Sequence, residues 1–440
     1  MRSTDSQARA HPLRNLTCSL GLALALGLPI QALGNAFTAL DARSLSLGGS
    51  GVASTRPYNA PFFNPARLAG NPQVEGRRDE LTFLRPYVGV RLIDRDGFLD
   101  ALDQYQENDN SSRLDTALDE LEQSLRDLDP NREDFLAVTT AGNALLDDYQ
   151  NLSDKPLRLV GSGGMNVGYP SERWGFGAHQ RINGAIGMEI RVSESDIAAV
   201  REVLDFIDFL VELVDADELP DDVDLPVLPD DFQSEFALQG MLVEETGLSL
   251  AAQIPGMRRT SVGVTLKQLR VETLDWRTEV DDAESDNFDR EQQSLTYTDS
   301  NIDIGLTHEL DEHWTAGLMV RNAIARDYLT VLGNEVRLRP VARVGLAWQN
   351  EQWTVAWDMD LNETEAVGFD PRKQFIAMGA EYRPWRWLAL RGGYRHERVL
   401  EEGELSLGFG LAMRHAHFDL GVSTDGRDSM AAALQFGVRF

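Results

Sequence analysis

The 440-residue sequence holds a single cysteine, Cys18, so no disulfide can form within the chain. Basic residues are also few. Lysine and arginine total 41 against 71 aspartate and glutamate, a formal charge of −30. A surface of that sign repels nucleic acid, whose phosphates need basic partners. There is no Gly-x-Ser-x-Gly elbow and no Walker-type phosphate loop. The acidic run from Asp215 to Asp231 lacks the glycine and final glutamate of a calcium-binding EF-hand loop. His415 and His417 point to the same side of a strand start, but no third metal ligand accompanies them. These absences argue against an enzyme, and no catalytic residue, cofactor or metal site is assigned. Mean hydropathy is −0.30, as in a soluble protein. That value does not exclude a membrane barrel, in which only alternate residues are apolar.

The N-terminus has the pattern of an export signal over residues 1–34. Arg2, Arg9 and Arg14 precede an apolar stretch from Leu16 to Ile30, and Ala32 and Gly34 are small enough for cleavage before Asn35. The stretch is too short to serve as a spanning helix. Removal of the signal would take Cys18 with it and leave an exported chain without thiols.

What the chain has in abundance is two-residue alternation, clearest at its end. Leu405, Leu407, Phe409, Leu411 and Met413 alternate with Glu404, Ser406, Gly408, Gly410 and Ala412. Ala416, Phe418, Leu420 and Val422 repeat the pattern, as do Ala432, Leu434, Phe436, Val438 and Phe440. Successive side chains leave a strand on opposite faces, so this period predicts strands. One face is apolar and the other combines glycine, small polar residues and charge. That is the outward-apolar, inward-polar dyad of a transmembrane β-barrel.

The same pattern from residue 80 to 440 predicts an all-β antiparallel barrel of about fourteen strands. The expected cores are 80–93, 156–169, 173–192, 236–253, 257–275, 292–310 and 313–329. They continue at 335–349, 352–366, 372–384, 386–399, 403–413, 415–423 and 429–440. Short connections, as at Pro170–Arg173 and Asp311–His313, alternate with long ones at 94–155 and 193–235. Short periplasmic turns and long outer loops are the habit of this class, and an even strand number puts both chain ends on the periplasmic side. Trp174, Trp314, Trp348, Trp353, Trp385 and Trp387 all adjoin short turns, which predicts an aromatic girdle there. Inward positions carry both signs of charge, among them Lys267, Asp303, Glu309, Arg321, Arg343, Asp358, Asp360, Arg391, Arg395, Glu404 and Asp419. A lumen so lined needs pairing, so a filled interior is expected rather than an open pore.

The two long loops change to a helical period. Leu114, Ala117, Leu118, Leu121, Leu125 and Leu128 mark one helix. Ile197, Val200, Val203, Leu204, Ile207, Leu210, Val211 and Val214 mark another, widened by Phe206, Phe209 and Leu213. Proline and aspartate steps such as Leu219-Pro220-Asp221-Asp222 follow. The expectation is a helical cap above the outer mouth, with Val203, Phe206, Ile207, Phe209 and Leu210 forming its apolar face.

Residues 35–79 precede the strands. They include Ala42-Arg43, Gly48-Gly49, Val52-Ala53 and, further on, Phe62-Phe63-Asn64-Pro65-Ala66 before Leu68-Ala69. This segment resembles the N-terminal hatch of the FadL-type hydrocarbon and fatty-acid transporters. It is closer still to the TraF-like outer-membrane proteins, named for plasmid conjugation, that share the architecture. Arg67 departs from the pattern, which has glycine after Asn-Pro-Ala, and the acidic residue often found before the motif is missing. The resemblance implies a hatch in the lumen that includes Phe62, Phe63, Asn64, Pro65 and Ala66, with Asn64-Pro65-Ala66 near the third strand. That strand carries Gly175, Gly177, Gly184 and Gly187, with Asn183 before Gly184, which marks either a kink or only the glycine content usual in barrel strands. In the family such a kink, here at Asn183, Gly184 and Gly187, opens the wall so that an apolar ligand leaves sideways. Phe436, Val438 and Phe440 resemble the C-terminal signal read by the barrel-assembly machinery.

Two functions follow as expectations. The first is passive uptake of an apolar small molecule of fatty-acid or hydrocarbon type through hatch and lateral opening. The second is surface binding or assembly in conjugal transfer or secretion, with nothing passing through. The expected setting is the outer membrane of a Gram-negative bacterium. Lipid and lipopolysaccharide would be its neighbours, and the barrel would be a monomer with no nucleic-acid partner.

Overall fold

The computed structural model describes residues 40–70, 82–83, 85–127, 131–216, 233–257, 259–279, 288–365, 367–413 and 415–439. The export signal, the acidic steps from Leu219 to Asp231 and Phe440 lie outside them.

Fourteen strands form one closed antiparallel wall. A two-residue strand, β1 (Thr82–Phe83), pairs beside its seam. The wall begins with β2 (Tyr87–Ile93), β3 (Leu157–Tyr169), β4 (Trp174–Arg191), β5 (Glu235–Gln253) and β6 (Thr260–Glu279). β7 (Ser294–Glu309) and β8 (Trp314–Arg321) continue it. After a separate hairpin, β9 (Arg326–Leu329) and β10 (Glu335–Leu338), the wall resumes at β11 (Val341–Gln349) and β12 (Trp353–Asp360). It ends with β13 (Phe375–Trp385), β14 (Leu388–Glu397), β15 (Glu402–Ala412), β16 (Ala416–Thr424) and β17 (Ser429–Arg439). β17 closes on β2, with Leu434 opposite Val88 and Gln435 opposite Tyr87.

The alternation works out as a membrane wall requires. Leu405 and Leu407 are 65% and 66% exposed on the outer face, while Ser406 is buried in the lumen. On β4 to β7 the paired residues Gln180, Thr246, Gln268 and Ser300 form an outward polar row. Apolar outward residues such as Leu248, Leu266 and Ile304 lie on its short-turn side, so the row marks the upper edge of the lipid belt. At the other edge Trp314 stacks on Trp357 at 6.0 Å and Trp385 on Trp387 at 5.4 Å. No helix among the described residues is long and apolar enough to cross a membrane.

Two expected strands are shorter than their sequence pattern. The stretches 313–329 and 335–349 leave the wall between Arg321 and Val341, and the β9–β10 hairpin folds into the lumen instead. The break has local causes: Asn322 takes a left-handed conformation at φ 51°, and Pro340 has no N–H for the ladder. Tyr328, Val336 and Leu338 then bury themselves against inward-facing Met241, Val243, Leu269 and Val271. Because hairpin and wall share a two-residue period, the pattern shows no boundary.

The long loops are helical. α1 (Ala42–Ser46) belongs to the hatch; α2 (Phe98–Asn108), α3 (Asn110–Arg126) and α4 (Arg132–Leu152) fill the first long loop. α5 (Glu194–Asp215) fills the second. Asn131 and Asp134 form a capping box at the start of α4. These helices share one core with the wall, but not over its mouth. Its wall members are Leu92, Leu157, Ile186, Met188, Ile190, Phe236, Leu238, Leu274 and Trp276. All of them alternate with lumenal residues and point outward. The expected cap is therefore a collar on the outside of the tall β3–β6 side. The helical period showed which faces are buried, but carried no information about which side of the wall receives them.

Candidate functional site: the hatch, the collar cleft and the lumen

The hatch, residues 40–70, occupies the short-turn half of the lumen as α1 and two 3₁₀ turns, Pro57–Phe62 and Pro65–Leu68. Asn64 caps the second turn, its Oδ1 accepting from the Ala66 N–H at 3.1 Å. Its Nδ2 donates to the carbonyls of Val52 at 3.1 Å and Leu306 at 3.2 Å. The Asn64 turn therefore lies against β7 and β8, not beside the third strand, β4, as expected. β4 receives the flanks instead: Gly177 faces Pro61 and Gly175 faces Leu68. Phe62 lies edge-on to Tyr87 at 5.3 Å and to His179 at 5.4 Å. Phe63 packs its ring against Gly51.

Close approach explains why so many lumenal positions are glycine. A Cβ at Gly305 would collide with Asn64, one at Gly263 with Ala66, and one at Gly379 with the Leu47 carbonyl at 2.5 Å. Glycine here makes room for a second backbone.

Ion pairs join hatch to wall. Glu381 accepts from Arg43 at 3.1 Å and Arg56 at 3.0 Å in the hatch, and from Arg391 at 2.7 Å in the wall. Asp358 accepts from the Gly51 and Val52 N–H groups. Higher up, Glu245 is met by Arg181 at 2.9 Å, Arg321 at 3.0 Å and Lys267 at 3.2 Å. Arg343 grips Asp360, while Arg91 and Arg395 both bind Glu404. The expected crosslinked interior is present. His417 pairs with Asp419 at 2.9 Å rather than with His415.

The lumen is also filled from the long-loop end. Besides the β9–β10 hairpin, the 361–374 loop enters, with Val367 on Met241 and Phe369 against Gly187. Beside that loop lies a small chamber of about 70 Å³, partly open to solvent, whose lining includes the charged residues Arg91, Lys373, Arg395 and Glu404. Neither obstruction announced itself in the sequence, although Phe369 between Gly368 and a proline step was a faint signal.

At the proposed lateral opening, Asn183, Gly184 and Gly187 pair without a break, to Ser162, Gly161 and Arg158 on one side and Val243, Leu242 and Gln239 on the other. No kink or register shift occurs there. Asn183 and Gly187 face the lumen, and Gly184 faces outward. The expected gap is absent from this conformation of the wall.

In the collar, Ile207 and Leu210 are buried, Val203 and Phe206 are half-buried, and Phe209 is 50% exposed. Between α3, α4 and α5 lies a narrow cleft of about 30 Å³ lined by Leu114, Leu145, Leu146, Tyr149, Ile197 and Val200. Its polar members are Asp196 and Ser234, and they are paired. Asp196 accepts from the Ser234 N–H at 2.7 Å and from its hydroxyl at 2.5 Å. Because the collar rests on outward positions, the barrel wall separates this cleft from the lumen.

The family described as "F plasmid transfer operon, TraF, protein" matches residues 61–360, more than half of the chain. The chain belongs to this TraF family. Among solved structures, this TraF-family barrel is similar to the TodX deltaS2S3 mutant monoaromatic hydrocarbon channel. The TM-score is 0.50 and the identity 11%, over 93% of this chain and 100% of that one. The Ralstonia pickettii toluene transporter TbuX matches at TM-score 0.49 and 12% identity, over 94% of this chain and 99% of that one. A Pseudomonas aeruginosa FadL homologue matches at 0.47 and 8%, over 93% and 99%. No curated protein matches. At this identity the likeness to TodX extends to the barrel fold alone.

Proposed function

We propose that this TraF-family barrel captures an apolar small molecule at its outer end, in the collar cleft. The observation that carries the reading is the cleft itself, whose lining is aliphatic apart from Tyr149 and a paired Asp196–Ser234 pole. Its free volume is about 30 Å³, short of the roughly 300–1,000 Å³ of a drug-sized ligand site, so capture requires α4 and α5 to part. Onward passage would need the hatch to shift and the wall to open near Asn183, Gly184 and Gly187. The setting we assign is the outer membrane of a Gram-negative bacterium, with short turns toward the periplasm. There the monomer would meet lipid and lipopolysaccharide, and the assembly machinery would read Phe436, Val438 and Phe440.

A second reading, surface binding or assembly without passage, is favoured by the ion-paired hatch and the unbroken β3–β4 ladder. Titration of the detergent-solubilised protein with N-phenyl-1-naphthylamine tests the capture step. Saturable fluorescence enhancement is expected, weakened at least tenfold by Ile197→Trp, which fills the cleft. Absence of saturable binding in the native protein would remove the proposal.

A further inference from the structure

The chain as a whole is strongly acidic, yet one layer of its lumen is rich in cations. At the short-turn end, Arg43 from the hatch meets Arg383 and Arg391 of the wall on Glu381, and Arg85 stands within electrostatic reach of Asp419. Glu381 and Asp419 are the carboxylates among them. Arg56 adds another guanidinium on Glu381. With Arg56 set aside and the buried Asp41 counted, four cations face three carboxylates among the described residues. Asp41 is turned to its own helix, where its Oδ1 accepts from the Ser44 N–H at 3.2 Å, while its Oδ2 has no donor among the described residues.

Hydrogen bonding points the same way as the charge count. Arg43 Nη2, Arg85 Nε and Arg391 Nη2 are buried donors without an acceptor among the described residues. Arg391 is fully buried, and Arg43 is 4% exposed through its side chain. Arg85 is 3% exposed and lies over the Tyr58 ring at 3.8 Å from its centre, a contact that offsets only part of a guanidinium's desolvation. Buried positive charge beyond its counter-charge is strongly unfavourable, and so is each buried N–H without an acceptor. A small anion would relieve both at once.

We propose that the arginine layer formed by Arg43, Arg85 and Arg391 around Glu381 and Asp419 is a binding site for a small inorganic anion, a halide or an oxyanion. The class follows from burial, since Arg43, Arg85 and Arg391 are all nearly inaccessible between hatch and wall. Guanidinium N–H groups suit either kind of anion, and planar forks favour oxyanions. With an anion in place, the hatch residue Arg43 and the wall residues Arg85 and Arg391 share one ligand. Anion binding then stabilises the hatch-in form by mass action.

The experiment is thermal unfolding of the full-length barrel in detergent, followed by gel mobility, at constant ionic strength. Chloride and phosphate are each titrated against gluconate, which is too large for the layer. A saturable rise of a few degrees in midpoint with chloride, phosphate or both is expected. Which of them acts distinguishes halide from oxyanion. Arg85→Gln should abolish the rise, and Arg85→Lys should retain part of it. If Arg85→Gln does not assemble, bromide soaked into native crystals decides, with an anomalous peak expected beside Arg85. The proposal is overturned by equal midpoints in all three salts, or by an anion response unchanged in Arg85→Gln. It is also overturned if a response appears only after Glu75, Asp79 and Glu80 are neutralised, because the chain would then supply the counter-charge itself.

Discussion

The carboxylate of Asp358, on β12 of the wall, accepts the Gly51 N–H of the hatch at 2.7 Å. The adjacent Val52 N–H reaches the same oxygen at 2.9 Å. The hatch backbone makes a turn with no ladder partner at this point, so a wall side chain satisfies its N–H groups. Asp358→Ala would leave two buried donors unmatched, at roughly 1–3 kcal/mol each. Amide exchange at Gly51 and Val52 should accelerate roughly tenfold or more, at about 1.4 kcal/mol per tenfold. Wall amides should be unaffected. Exchange unchanged at both sites would mean that the hatch is held elsewhere.

Gly305 tests whether hatch and wall are separable. Any side chain there must take the place of Asn64. Gly305→Leu should expel the Asn64 turn, at a cost of roughly 1–3 kcal/mol as for other overpacked sites. The fourteen-strand ladder does not depend on the hatch for its hydrogen bonds. Heat-modifiable gel mobility should therefore persist while limited proteolysis begins to cut within residues 40–70. A protease-resistant hatch would contradict the close packing described for this glycine.

Much of this architecture was legible because membrane walls impose a two-residue period that few other settings impose so long. Leu405 through Met413 declared both their strand and its lipid face. The charged inward set was legible too, since Lys267 and Arg391 can sit in a lumen only when paired. What was hidden shares a local signal with what was seen. Tyr328 and Val336 alternate like wall residues yet turn into the lumen, and only Asn322 and Pro340 mark the departure. Ile207 and Leu210 announce a buried helical stripe, but amphipathicity is silent about whether it covers the mouth or leans on the outer wall. The lateral kink was inferred from glycine at 184 and 187. Gly187 is instead occupied by the approach of Phe369.

The collar offers a contrast between two neighbouring apolar residues. Ile207 is 1% exposed in the shared core, whereas Phe209 is half exposed. Ile207→Ala should destabilise the collar by about 2–5 kcal/mol, the usual cost of such a truncation. Phe209→Ser should stay within about 0.5 kcal/mol. Because the collar can open without the wall, the measurement is exchange of α4 and α5 amides rather than the unfolding of the barrel. Equal effects of the two substitutions would reverse the assignment of the buried face.

Whether anything passes sideways through the wall can be decided at the β3–β4 seam. Gly161 and Gly184 are directly opposed there. Antiparallel partners lie roughly 4.5–5.5 Å apart at Cα, within the range a disulfide spans. Both residues face outward on the long-loop side of the polar Gln180–Thr246 pair, so a bond between them would close the seam above the lipid belt without entering the lumen. Cys18 is the chain's one cysteine and lies in the export signal, so a Gly161→Cys/Gly184→Cys variant would have no competing thiol once the signal is removed. Lateral exit requires several consecutive ladder bonds to open, at roughly 0.5–1.5 kcal/mol net for each. A covalent cross-link forbids that opening outright. If apolar molecules leave by this seam, the oxidised variant should lose uptake and regain it on reduction. Probe binding at the collar cleft, across the barrel wall from the lumen, should be the same in both states. Uptake that continues through the oxidised seam would rule out this exit. No uptake in either state, with binding intact, would leave surface capture as the activity of the barrel.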